Sequence, residues 1–99
     1  LMVGVAYGSD TKLVKKLLLQ AADSVKEVYE YPHKPRVQFI DFGDSSLDFR
    51  LRFWSDIDNF VEAESNLRYE IDRLFKAHNV VIPFPQRDLH IMSKPGVIQ

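Results

Sequence analysis

Residues 47–54, Leu-Asp-Phe-Arg-Leu-Arg-Phe-Trp, alternate with a period of two. Leu47, Phe49, Leu51 and Phe53 point one way; Asp48, Arg50, Arg52 and Trp54 point the other. A strand with this pattern lies in a sheet that buries one face and leaves the other more polar. Before it stands the turn cluster Gly43-Asp44-Ser45-Ser46, and before that a second strand-like run, Arg36 to Phe42. The short spacing makes the two runs an antiparallel hairpin. The fold must therefore be built around a sheet with one covered face.

The flanking segments supply the cover. Residues 2–7, MVGVAY, are short and apolar and end at Gly8, which predicts a buried strand. Ser9 or Asp10 can cap the helix that follows, where Leu13, Val14, Leu17, Leu18 and Ala21 recur at helical spacing with Lys12, Lys15, Lys16 and Gln20 opposite. Pro32 and Pro35 place a loop between this helix and the hairpin. Asp56 or Asp58 can cap a second helix with a buried stripe of Val61, Leu67, Ile71, Leu74 and Phe75. Asn79 suits the left-handed residue just past its end. Gln86 to Met92 reads as a last strand, and Pro83 and Pro85 favour an edge position for it.

The order β-α-β-β-α-β predicts an α+β, ferredoxin-like two-layer sandwich, with four antiparallel strands under two helices. The expectation is one domain over residues 1–92 and a tail over 93–99. Ninety-nine residues suit one domain and not two. Because the sequence opens at Leu1 directly inside a strand, it reads as a piece of a longer chain.

Composition narrows the function. A net charge of −1 lacks the basic excess of a general nucleic-acid binder, and the lack of cysteine excludes disulfides and thiolate zinc sites. No apolar run reaches the roughly 18–20 residues of a membrane span. His33, His78 and His90 have no helical pairing; Asp88 and His90 share a strand face, which is too few ligands for a metal site. Asp41, Asp44 and Asp48 surround the hairpin turn, where aspartates bond their own backbone. Ser45 and Ser46 have no identified base beside them, so no enzyme and no cofactor is expected. If Phe39 faces the core, then Gln38, Ile40 and Phe42 share the open face with Arg50, Arg52 and Trp54. Large apolar groups there mark either a contact surface or a patch covered by a loop or tail. An RNA-recognition module has this topology, but the Gly-aromatic signature of its third strand is missing. A free-standing RNA-binding or small-molecule-sensing module is the alternative reading.

Three segments carry a more specific signal: VGVAYGSD at Val3 to Asp10, DFGDSSLDFRLRFW at Asp41 to Trp54, and IPFPQRDLHI at Ile82 to Ile91. Together, and in this spacing, they resemble the C-terminal domain of the small-conductance mechanosensitive channel (MscS) family. The resemblance implies a bacterial inner-membrane channel that opens under tension during hypoosmotic shock and passes ions and small osmolytes without a cofactor. It implies a homo-heptamer whose C-terminal domains help form a hollow cytoplasmic cage, with no nucleic acid involved. A closed ring needs two unlike surfaces on each subunit. The candidates are Phe84, Pro85 and Gln86 near one contact, and Phe42 and Trp54 near the other.

Overall fold

The computed structural model describes residues 1–84. Three strands, β1 (Met2–Val5), β2 (Arg36–Phe42) and β3 (Leu47–Arg52), form one antiparallel sheet in the order β1-β3-β2. Two helices, α1 (Thr11–Ser24) and α2 (Phe60–Ala77), pack against it and each other. The expected fourth strand, Gln86 to Met92, lies outside the described residues.

The sheet's register follows from β3. Leu47, Phe49 and Leu51 are buried, and Val5, Val3 and Leu1 stand opposite them on one side. Val37 and Phe39 stand opposite Leu51 and Phe49 on the other. Phe39 stacks on Phe49 with ring centroids 4.8 Å apart and planes 14° from parallel. Such a pair adds roughly 0.5–1.5 kcal/mol to what burial alone gives.

Asp10 caps α1: its carboxylate accepts from the backbone N–H groups of Lys12 and Leu13. Val14, Leu17, Leu18, Ala21 and Ala22 of α1 then meet Leu67, Ile71, Leu74 and Phe75 of α2 in one core cluster with the sheet. The start of α2 departs from the expected pattern. A single 3-10 turn (Ile57–Asn59) precedes it and sets the helix face, so Val61 is 78% exposed and Ala63 takes the buried position. Asn79 has φ +60° and ends the helix in the left-handed region, as its type predicts. Ser24 Oγ donates to Glu70 Oε1 at 3.1 Å, which ties the end of α1 to α2.

The register of β2 is the larger correction. Pairing runs regularly from Arg36↔Arg52 to Phe39↔Phe49, then shifts, so that Asp41 faces Asp48 and Phe42 faces Leu47. Ile40 is the extra residue of a β-bulge. The shift puts Phe42 on the helix-side face beside Phe39, at 5.0 Å between rings, and not on the open face with Gln38.

Phe49→Ala should destabilise the chain by about 3–5 kcal/mol, read from urea unfolding, because it empties the centre of the core and unstacks Phe39. Glu70 should titrate below its ordinary value of 4.5, because Arg73 donates to it and Ser24 adds a second donor. A depressed folded-state pKa means the folded chain binds fewer protons than the unfolded chain. Its contribution is present above the ordinary carboxylate value and is lost as pH falls through the depressed one. Carboxyl NMR of Arg73→Ala should show the Glu70 midpoint moving up.

Candidate functional site

Neither edge of β3 is free, so among the described residues β1 and β2 are the outer strands of the sheet. At the β2 margin, Phe39 and Ile40 are exposed by about two fifths and Phe42 by 71%. Trp54, just past β3, is 53% exposed. Its carbonyl accepts the Tyr29 N–H at 2.7 Å, and its ring lies 5.1 Å from that of His33. The Tyr29 hydroxyl donates to Asp56, so the loop leading into β2 is anchored to the segment that leaves β3. That hydrogen bond raises the Tyr29 pKa.

Phe42 and Trp54 therefore stand at opposite ends of the same hairpin. Trp54 lies seven positions beyond Leu47, the partner of Phe42, which is about 23 Å of strand. One patch of about 800 Å², the usual size for one side of a stable interface, is wide enough to include both.

The other candidate surface lies across the sheet. The Ala6 N–H donates to the Val81 carbonyl at 2.8 Å, which brings the chain after α2 alongside the end of β1. Phe84, three residues on, is 82% exposed. Pro85 and Gln86 lie outside the described residues.

The hairpin turn is built by groups that the sequence also offered for chemistry. Gly43 N–H donates to the Ser46 carbonyl at 2.7 Å, and Ser46 Oγ donates to Asp48 Oδ1 at 2.6 Å. The Tyr7 hydroxyl donates to the Gly43 carbonyl and ties the end of β1 to the turn. A Cβ on Gly43 would stand 2.7 Å from Asp48 Oδ2 and 3.0 Å from the Ser46 carbonyl, so the turn closes this tightly only with glycine. Asp48 and Ser46 thus serve the turn. Among the described residues, no group of three or more His, Asp or Glu side chains is placed to hold a metal; Asp88 and His90 lie outside them. No described helix is long and apolar enough to cross a membrane.

The structure adds Lys34 and Arg36, which the sequence did not single out, to the open-face residues it did. Arg36 stands directly opposite Arg52, and Gln38 opposite Arg50. Lys34, Arg36, Arg50 and Arg52 line a concavity of about 400 Å³ with Phe53, Trp54, Phe60 and Leu1. Phe53 and Phe60 stack there at 5.4 Å. The alternation of β3 revealed Arg50 and Arg52; Arg36 joins them only through the register of β2.

The family described as "Mechanosensitive ion channel MscS, C-terminal" matches residues 1–82. An uncharacterised MscS family protein of Haemophilus influenzae is 42% identical over 92 residues, covering 92% of this chain and 8% of that protein. The mechanosensitive channel MscK of Escherichia coli K12 is 35% identical over 95 residues, covering 95% of this chain and 8% of MscK. The crystal structure of Helicobacter pylori MscS in its closed state superposes with a TM-score of 0.78 at 31% identity, over 90% of this chain and 35% of that one. The chain spans about a third or less of these relatives. With its three-stranded sheet, its two helices and this match along most of its length, the chain belongs to the MscS mechanosensitive ion channel family, within the C-terminal domain.

Proposed function

We propose that this domain is part of the wall of a cytoplasmic cage beneath a tension-gated pore, in a homo-heptameric channel of a bacterial inner membrane. The observation that carries the reading is the family match over residues 1–82. The whole channel would pass ions and small osmolytes passively on hypoosmotic shock, with no chemical step and no cofactor. The domain would be a ferredoxin-like unit over residues 1–92, with Gln86 to Met92 as the fourth strand beside β1. The Ala6 to Val81 hydrogen bond supports that placement, since it already seats the approaching chain at the β1 margin.

The surfaces fit a ring. A heterologous interface joins two unlike patches. The β2 margin offers Phe42 and Trp54, and the segment beyond Val81 offers Phe84, followed by Pro85 and Gln86. They flank the sheet on opposite sides, so a neighbour on each side would meet a different patch.

The test is made on the full-length parent protein. Reconstituted in liposome patches, it should open under suction, and native mass spectrometry should show seven copies. Phe42→Glu should lower the heptamer fraction severalfold. The same substitution in the isolated chain should lower the unfolding free energy by no more than about 1.5 kcal/mol, the size of the lost Phe39 ring contact. A patch silent up to lytic tension would overturn the channel reading. Assembly unaffected by Phe42→Glu would remove Phe42 from the interface.

A further inference from the structure

We propose that the concavity bounded by Lys34, Arg36, Arg50 and Arg52 is a binding site for a small oligophosphate anion, with Trp54 at its rim. The proposal does not depend on the channel reading, because the cluster exists within a single copy of the chain.

The first ground is the register. Arg36 and Arg52 are directly opposed across β2 and β3, and Arg50 lies two residues from Arg52 on the same face. Like charges directly opposite each other destabilise a sheet, and a sequence normally sets an opposite charge there. Here none compensates: among the described residues no carboxylate lies within 4.0 Å of Arg36, Arg50 or Arg52, while Arg68 and Arg73 on α2 both have such partners. The nearest acid on the same face of β3 is Asp48, which accepts from Ser46 in the hairpin turn. The Lys34 charge draws the Glu30 pKa down, against the stronger upward pull of Asp23.

The second ground is the contrast with the rest of the chain. The net charge is −1, so four cations around one hollow are a local excess, not a reflection of a basic protein.

The third ground is ligand chemistry. A guanidinium fork matches two oxygens of a phosphate, and three forks on a flat face match a chain of phosphates better than a single one. The volume of about 400 Å³ is of the size that holds a small ligand. In a single copy of the chain Trp54 presents a half-exposed ring at the rim, on which a nucleobase can stack.

Trp54 is the chain's one tryptophan, so its emission reports on this site alone. The isolated 99-residue chain is titrated with inorganic tripolyphosphate at low salt, with sodium chloride of equal ionic strength as the control. The expected result is a saturable emission change absent from the chloride control, weakened about tenfold for each guanidinium removed in Arg36→Gln and Arg52→Gln. The same response in a chain acetylated at Leu1 assigns it to the side chains. ATP binding more tightly than tripolyphosphate identifies a nucleotide as the ligand; equal binding identifies the phosphate chain. An emission change that fails to saturate, follows chloride equally, or survives both substitutions together overturns the proposal. Ligand-free stability is a separate readout: Arg36→Gln should raise the unfolding midpoint by relieving repulsion from Arg52. A lowered midpoint would show that Arg36 is held by a structural contact, and would overturn the proposal as well.

Discussion

The structure hangs on β3, which uses both of its hydrogen-bonding edges and one whole face at once. Leu47, Phe49 and Leu51 are almost wholly buried, and β1 and β2 pair on either side. Because side chains alternate, moving this strand by one residue would put three large apolar groups in water and two arginines in the core. Every other position is set relative to that one. Val3 and Val5 turn inward because they oppose Phe49 and Leu47. Arg50 and Arg52 are sent to the open face by the same alternation, whatever their charges do to each other there. The arginine cluster is thus fixed by the core and not by any local attraction.

How much of this was legible depends on whether a short-range pattern carried it. The β3 alternation, the α1 stripe and the left-handed Asn79 each rest on a few neighbouring residues, and each stands where the sequence places it; of the two caps the sequence allows, Ser9 and Asp10, the structure uses Asp10. The β2 bulge does not. Counting back from the turn without it would set Ile40 opposite Phe49; counting from Val37 sets Phe39 there. Both runs are apolar, and no glycine marks the extra residue, so hydrophobicity could not choose. Phe39 and Phe42 end up on the same face although their positions differ by an odd number, which only a bulge allows. The start of α2 was hidden for a related reason. Ala63 is buried and Val61 exposed because the preceding 3-10 turn sets the helix face, and a small residue at a close helix contact looks unremarkable in a hydrophobic pattern.

The candidate site was legible in part for the same reason. Phe42 and Trp54 stood out as large apolar groups near a polar face, and both are exposed, but Phe42 reaches its place by a different route. Arg36 could not be joined to Arg50 and Arg52 without the register that the bulge resets.

The bulge also bears on how copies of the chain can meet. Among the described residues β2 is a sheet margin, and an exposed edge strand invites another strand to continue the ladder. A bulge breaks the even spacing of N–H and C=O groups that such pairing needs, and the charges of Arg36 and Asp41 near the two ends of β2 work against it further. What the margin still offers is side chains: Phe39, Ile40 and Phe42. Contact through side chains depends on the shape of a complementary patch, whereas contact through a backbone edge accepts any extended chain. Under the proposed ring assembly, a subunit that joins a closed ring and not an open stack of sheets has a physical reason to be built this way. The residue that made β2 hardest to read from sequence is also the one that restricts what its edge can bind.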